Sequence, residues 1–427
     1  MIVEVLQAVN MLLYGKIHLL VLFFLVFVLA PRVVIKVKER GYRTIGDLFG
    51  GKVTAIVPVY KEEPELFKAC LESIHRNGAD QIIVSIDSGD RELIRIAEEC
   101  GAEVISFPER VGKRRALAEA WKRAKNELIV HVDSDVVLED GCIRELIKPF
   151  SNPEVVGVES KHRVVPGKSK MAYVLSNLIE RNRVVNSRAL NGGLVVVDGR
   201  CSAWRRGFLL SVADEFVNER WMGVRCEIGD DRFLSREALK RGFKTVFQET
   251  ACSIIRSPDA FMDFVKQQIR WRRSGTKFWL KDLKEGVHPS LTYAFKCATY
   301  YLSPFIFPAA VILDLLLFPT QFTLWNIAAI PLVVVAGCSL TTALNQTIYF
   351  GRPLTPKYLV PQAIIGLFVT FPISLYGALT VKMQHVWGTR GYDRDHLSIS
   401  AVFFTAVATI LSALFLVAVL AQEQEYG

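Results

Sequence analysis

Three short acidic clusters carry the first chemical signal in this chain. "ELIVHVDSDVVLED" ends an apolar, β-branched run on Asp133 and Asp135, one residue apart. Two carboxylates so spaced at a strand end can share a divalent cation held by a diphosphate, and hard oxygen donors suit Mg2+ or Mn2+. Standing alone, Asp-Ser-Asp is also an ordinary strand-end turn. "QIIVSIDSGD" delivers Asp87 in the same manner, and "KVTAIVPVYKEE" delivers Tyr60 and Glu62. "GKRRALAEAW" sets Lys113 and Arg114 at the start of a helical pattern. Cationic side chains and the helix dipole both favour phosphate there, although an isolated basic pair is commonly a solvated face. "GDDRFLSREAL" places Asp230, Asp231 and Arg232 in the first turn of another helix, where acids also serve simply as dipole partners.

Such residues need a scaffold that brings them to one edge. Apolar runs ending at Pro58, Asp87 and Asp133 alternate with helical patterns, which predicts an α/β, Rossmann-like parallel sheet. Ligands of such sheets bind beyond the carboxyl ends of the strands, where these acids fall. The GxGxxG dinucleotide fingerprint is absent, which argues against a dehydrogenase. "DFVKQQIRWRRSGTKFWL" holds Gln267, Arg270 and Trp271 on an amphipathic stretch with Lys266, Arg272, Arg273 and Lys277. By itself this reads as a basic interfacial helix on a membrane.

Composition divides the chain between two environments. Of 427 residues, 51% are hydrophobic and 22% charged, too apolar for an ordinary soluble protein and too charged for a wholly membrane one. The formal charge of +9 fits nucleic acid, anionic lipid or an anionic small substrate equally well. Eight cysteines lie apart without a CxxC pair, so they are read as reduced and mostly buried. "HLLVLFFLVFVLAPRVVI" with its basic follow-on reads as an anchor over residues 1–45 that leaves the next segment inside. A globular domain is expected over 50–257, interfacial helices over 258–290, and a membrane region over 291–427 with apolar blocks near 293–318, 322–349, 358–381 and 397–421. Both "GRPLTPK" and "KMQHVWGTRGYDRDH" (382–396) are basic, so the block between them is expected to re-enter or lie in the interface, leaving both loops inside.

In their order, "IVPVYKE", "IDSGD", "GKRRA", "VDSDVV", "GDDRFLS", "QQIRW" and "WGTRG" resemble the processive family 2 glycosyltransferases, and most of all the hyaluronan synthases, with cellulose and chitin synthases sharing a looser version. The resemblance covers nearly the whole chain. It implies a GT-A type cytosolic domain with transmembrane and interfacial helices, and an inverting UDP-sugar polymerase in the cell membrane, using UDP-GlcNAc, UDP-GlcA or both. It further implies that Tyr60, Glu62, Asp87, Lys113, Arg114, Asp133, Gln267 and Arg270 hold the donor, with Asp133 and Asp135 on Mg2+ or Mn2+. Asp231 is the implied general base, since an acceptor hydroxyl is a poor nucleophile and a direct displacement needs a carboxylate within reach. Gly199, Arg200, Trp204, Asp230, Arg232 and Trp271 are the implied acceptor residues. Trp387, Gly388, Thr389 and Arg390 form the implied gating loop.

Two departures accompany the resemblance. "VDGRCSAWRRG" carries Asp198, Arg200 and Cys201 where hyaluronan synthases have a small-residue acceptor motif. One anchor is read before the domain and one segment after the WGTRG loop, where typical members are expected to have two of each. The implied partners are the UDP-sugar, a growing polysaccharide and membrane lipids, with no nucleic acid, and a monomer suffices. An alternative is a single-sugar transfer to a lipid-linked acceptor. A transporter with a regulatory nucleotide domain would need buried ionisable residues in its apolar blocks, of which Asp314 is the one clear candidate.

Overall fold

The computed structural model describes residues 46–288 apart from 48, 88 and 190–195, together with 369–385 and isolated positions between 294 and 305. Residues 39–287 and 381–394 form one compact unit, and 1–38, 288–380 and 395–427 form another.

The first unit is built on alternation. In β1 (Val53–Val59), Val53, Ala55, Val57 and Val59 enter one apolar cluster while Ile56 enters another. β2 (Gln81–Asp87) and β4 (Leu128–Val132) repeat the pattern, with Val84 and Val130 on one face and Ile83 and Ile129 on the other. Successive side chains of a strand point to opposite faces, so runs this uniformly apolar require cover on both sides. α1 (Pro64–Arg76) supplies Phe67, Leu71 and Ile74 to the first face. α3 (Lys113–Arg123) supplies Leu117 and Trp121 to the second. Between them in the chain run α2 (Arg91–Glu99), capped by the Asp90 carboxylate, and β3 (Glu103–Phe107).

The predicted parallel sheet is half of what forms. β1, β2, β3 and β4 pair in parallel. β7 (Cys201–Arg205) then joins antiparallel to both β4 and β6 (Val155–Val165). β10 (Lys244–Arg256) lies parallel to β6, and β5 (Val136–Leu138) antiparallel to β10. Among the described residues the order is β3-β2-β1-β4-β7-β6-β10-β5, an eight-stranded mixed sheet. The chain turns back because Asp133 to Asp135 end β4 in a turn closed by the Val136 amide on the Asp133 carbonyl at 3.0 Å. The register sets Cys201 opposite Val132, so the turn at 198–200 lies beside Asp133.

The remaining elements cover both faces and close the unit. α4 (Cys142–Leu146) and α5 (Lys170–Ala189) flank β6 in sequence, and α6 (Arg206–Ser211) and α7 (Ala213–Asn218) precede the small β8 (Arg220–Trp221) and β9 (Val224–Arg225) hairpin. α8 (Asp230–Lys240) adds Phe233 and Leu234, and the long α9 (Phe261–Glu285) adds Phe278. Arg273 and Lys277, expected among the basic residues of a cytosol-facing interfacial helix, are 2% and 0% exposed and enclosed by protein. Lys277 is held by the Glu219 carboxylate at 2.8 Å.

In the second unit, α10 (Phe371–Leu379) begins with Pro372 in its first turn. Among the described residues no helix is long and apolar enough to cross a membrane. The anchor over 1–45 and most of the apolar blocks lie outside the described residues, as do Cys338 and the loop residues Trp387, Gly388, Thr389 and Arg390. The described cysteines are all free thiols, with Cys70, Cys142, Cys201 and Cys226 buried.

Candidate active site

At the carboxyl ends of β1, β2 and β4 lies a cleft of about 290 Å³. Tyr60, Asp87, Lys113, Asp133, Asp135, Gly199, Arg200, Asp230, Asp231, Gln267, Arg270 and Trp271 all line it, so residues spread over 212 positions converge as the sequence pattern requires. Tyr60 follows β1, with the Arg110 guanidinium 5.6 Å from its ring centre. Both oxygens of the Asp87 carboxylate accept backbone amides, from Val111 at 2.7 Å and Gly112 at 3.0 Å. That grip fixes the entry into α3, and Gly112 at φ +85° makes the left-handed bend that starts the helix with Lys113.

Lys113 is the electrostatic hub. Its Nζ lies 2.7 Å from Asp133 Oδ1 and 3.2 Å from Asp230 Oδ2. Burial favours the neutral amine, but the two carboxylates outweigh it and hold the lysine protonated. Burial, with the nearby Asp135 charge, in turn pushes Asp133 above the ordinary carboxylate range despite Lys113. An acidic pair that raises its own pKa in this way is suited to a divalent cation, which would relieve the repulsion. Among the described residues no three or more His, Cys, Asp or Glu gather into a complete metal cage. The two carboxylates present hard oxygen donors of the kind that would hold Mg2+ or Mn2+.

The two acids at the start of α8 are separated by their surroundings. Burial raises Asp230, yet Lys113 and Arg114 outweigh it and leave the group below its usual range. Asp231 is raised to about 6, first by burial and then by the adjacent Asp230 charge, with Asp198 adding to it. Neighbouring carboxylates driven apart in this way can take different roles, and one that titrates near 6 matches a general base at neutral pH. Asp231 also accepts the Arg232 amide at 2.7 Å. Gly229 precedes them at φ +75°, where a Cβ would stand 2.7 Å from Ser274 Cβ, so glycine alone lets α8 begin against α9.

α9 contributes one face. Asp263, Gln267, Arg270, Trp271 and Ser274 line the cleft at helical spacings of three and four. Opposite Trp271 stands Arg200, whose guanidinium lies 5.7 Å from the ring centre. Arg200 is held flat by paired bonds to Asp198 at 2.9 and 2.7 Å and by Glu180 at 2.7 Å. Arg183 links the same Asp198 at 3.5 Å to Glu159 at 2.6 Å.

Four expected site residues stand elsewhere. Arg114 follows Lys113 by one position, about 100° round the helix, and so points inward. It is 3% exposed and bonds the Phe216, Ile228 and Gly229 carbonyls and the Glu219 carboxylate. Trp204 is 1% exposed and stacks on Phe208 in the core, because strand alternation turns it away from the cleft. Glu62 accepts the Ser134 hydroxyl at 2.6 Å and so braces the Asp-Ser-Asp turn. Arg232 offers its backbone amide to Asp231, and its side chain is not among those lining the cleft. Arg110, Glu180 and Arg183 are marked by no sequence motif, and Asp198, noted in the sequence only as a departure from the acceptor motif, is the carboxylate that holds Arg200. A glutamate inside the β-branched run "VVGVESKHRVV" was the available signal, since a charge buried in a strand needs partners.

Residues 51–274, more than half of the chain, match the glycosyltransferase-like family 2. The chain belongs to this family. As a family 2 glycosyltransferase it has relatives of known name over most of its length. An N-acetylglucosaminyltransferase of Rhizobium sp. (strain N33) is 27% identical over 358 residues, covering 79% of this chain and 77% of its own. A hyaluronan synthase of Streptococcus pyogenes serotype M1 is 26% identical over 366 residues, covering 79% and 83%. The resemblance expected from the ordered motifs is thus confirmed at the level of the family and these relatives. A mannosyltransferase from Pyrobaculum calidifontis, solved with GDP-Man and Mn2+, shares the fold with a TM-score of 0.58 at 17% identity, over 82% of this chain and 98% of its own. The mixed sheet with its acid-lined carboxyl edge is accordingly a GT-A-like fold.

Proposed function

We propose that this glycosyltransferase takes sugars from a UDP-sugar donor and adds them, with inversion, to the end of a growing polysaccharide. The observation that carries the reading is Asp231, a carboxylate titrating near pH 6 in the cleft that also holds the Asp133 and Asp135 pair. Tyr60 offers an aromatic face for the uracil, and Asp133 and Asp135 would hold Mg2+ or Mn2+. That cation supplies charge neutralisation for the departing UDP. Arg270 and Lys113 line the same diphosphate region, and Gln267 stands one turn from Arg270 on α9. Asp231 accepts the proton of the acceptor hydroxyl as that oxygen attacks the anomeric carbon from the face opposite the leaving group. Trp271 presents an apolar face to the acceptor sugar, and Arg200 braces that ring.

Processive synthesis is favoured over transfer of one sugar to a lipid carrier by the joint presence of QxxRW and WGTRG, and by the hyaluronan synthase among the relatives. UDP-GlcNAc, UDP-GlcA or both are the donors, the first supported by the named activity of the rhizobial relative. The apolar blocks of the sequence support a multi-pass cell-membrane protein with its catalytic unit in the cytosol, moving the product through its own membrane segments. Trp387, Gly388, Thr389 and Arg390, outside the described residues, are the gating residues that the resemblance implies. UDP release, measured across a panel of UDP-sugars singly and in pairs, tests the donor. Stimulation by a pair alone indicates an alternating copolymer, and no release with any UDP-sugar refutes the proposal.

A further inference from the structure

Gln384 lies outside every site motif, yet it is 0% exposed. Its backbone carbonyl accepts the Glu227 amide at 3.0 Å and the Ile228 amide at 3.2 Å. Its side-chain Nε2 donates to the carbonyl of Arg273 at 3.3 Å and also to that of Val381. Met383 adds a second strut, with the Arg273 guanidinium 3.5 Å from its sulfur. Residues 381–385 thereby join two elements of the cleft. One is the turn 227–229 that launches Asp230 and Asp231, and the other is α9 two residues beyond Trp271.

The turn is gripped from both sides. Arg114 takes the carbonyls of Ile228 and Gly229, while Gln384 takes the amides of Glu227 and Ile228. Few backbone polar groups are then left free to let the turn shift, and the direction of Asp231 follows from it. Gln384 Oε1 is buried with no hydrogen-bond partner among the described residues. A buried amide that leaves its acceptor unmet gives back part of the stability that its two donor bonds supply.

We infer that Gln384 is a positioning residue for the transfer reaction, tying the Asp231 turn to the Arg270 and Trp271 helix so that base and acceptor subsite keep one geometry. The inference rests on the reading of Asp231 as the base. Displacement of a reacting group by about 1 Å can lower a rate by up to a hundredfold. Losing the side-chain strut to α9, with the backbone carbonyl of residue 384 and Arg114 still holding the turn, is expected to lower kcat about tenfold.

The test is Gln384→Met in the purified full chain, which keeps the volume and removes the donor. With UDP-N-acetylglucosamine as donor probe, kcat for UDP release is expected to fall about tenfold. Donor KM, UDP affinity and the melting temperature should stay at the parent values. Parent kcat overturns the inference, as does a fall in kcat matched by an equal loss of UDP affinity and melting temperature, which assigns Gln384 to stability alone. Should Gln384→Met fail to fold, Gln384→Asn is read by the same split, since its shorter amide cannot reach Arg273. Asp231→Asn run beside them separates the two readings. A dead Asp231→Asn with an unimpaired Gln384→Met refutes only the role of Gln384, whereas an active Asp231→Asn refutes the assignment of the base.

Discussion

At the scale of single residues, the cleft is a set of carboxylates whose charges are managed by one lysine. Lys113 sits between Asp133 and Asp230, and Asp231 is left as the acid with its pKa raised. A base works in its ionised form, so the raised value of about 6 places the acid limb of kcat/KM near pH 6, with activity falling as pH drops below it. A rate profile over pH 5 to 8 checks this, and a limb near 4 would remove Asp231 from the role. Asp231→Asn is expected to lower transfer by about 10²–10⁴-fold, the range typical of a lost general base, with UDP affinity retained in a binding assay. Chelation should stop transfer, and added Mn2+ or Mg2+ should restore it. Asp133→Asn and Asp135→Asn should each raise the metal concentration needed for half-maximal rate.

At the scale of elements, the site depends on helix starts and on what pins them. α3 and α9 meet at Glu219, whose carboxylate takes Arg114 at 2.9 Å, Lys277 at 2.8 Å and Lys281 at 2.6 Å. Burial alone would raise Glu219, but the three cations outweigh it and draw the group down to about 2. A depressed carboxylate contributes stability that is present above its unfolded value near 4.5 and is lost as pH falls toward 2. Glu219→Gln leaves Arg114 and Lys277 buried without their counter-charge and should destabilise the fold by about 3–5 kcal/mol, read by chemical denaturation at pH 7. Much of this level was visible in the sequence. The strand ending at Asp87, the helix opening at Lys113 and the helix opening at Asp230 all stand where alternation and glycine placed them. The antiparallel return of β7 was not visible, because an apolar five-residue strand reads the same in either direction and its pairing is a long-range choice.

At the scale of the molecule, distant segments combine into one enzyme. The GT-A-like unit gathers the proposed donor and acceptor residues in one cleft, and residues 381–394 belong to that unit although about 90 positions separate them from α9. The proposed product is a chain of many sugars. Size analysis of radiolabelled product from purified protein should show polymer, and single additions alone would support the lipid-carrier alternative. The proposed membrane residence predicts sedimentation with membranes after high-salt washing and release only by detergent.

The sequence by itself determined which residues meet. Acids after apolar runs, basic residues after a glycine, and a Gln, Arg and Trp at helical spacing leave few folds that place them apart, since strand ends and helix starts converge in an α/β sheet. Tertiary structure decided which of them face the cleft. Lys113 and Arg114 are adjacent in sequence and similar in type, yet one enters the site and the other is enclosed by Phe216 and Glu219. Trp204 and Trp271 differ in the same way, one stacked in the core and one on the cleft. Facing is set by the phase of a helix or strand against its neighbours, and by partners such as Gln384 that lie more than a hundred residues away. Local composition carries no record of either.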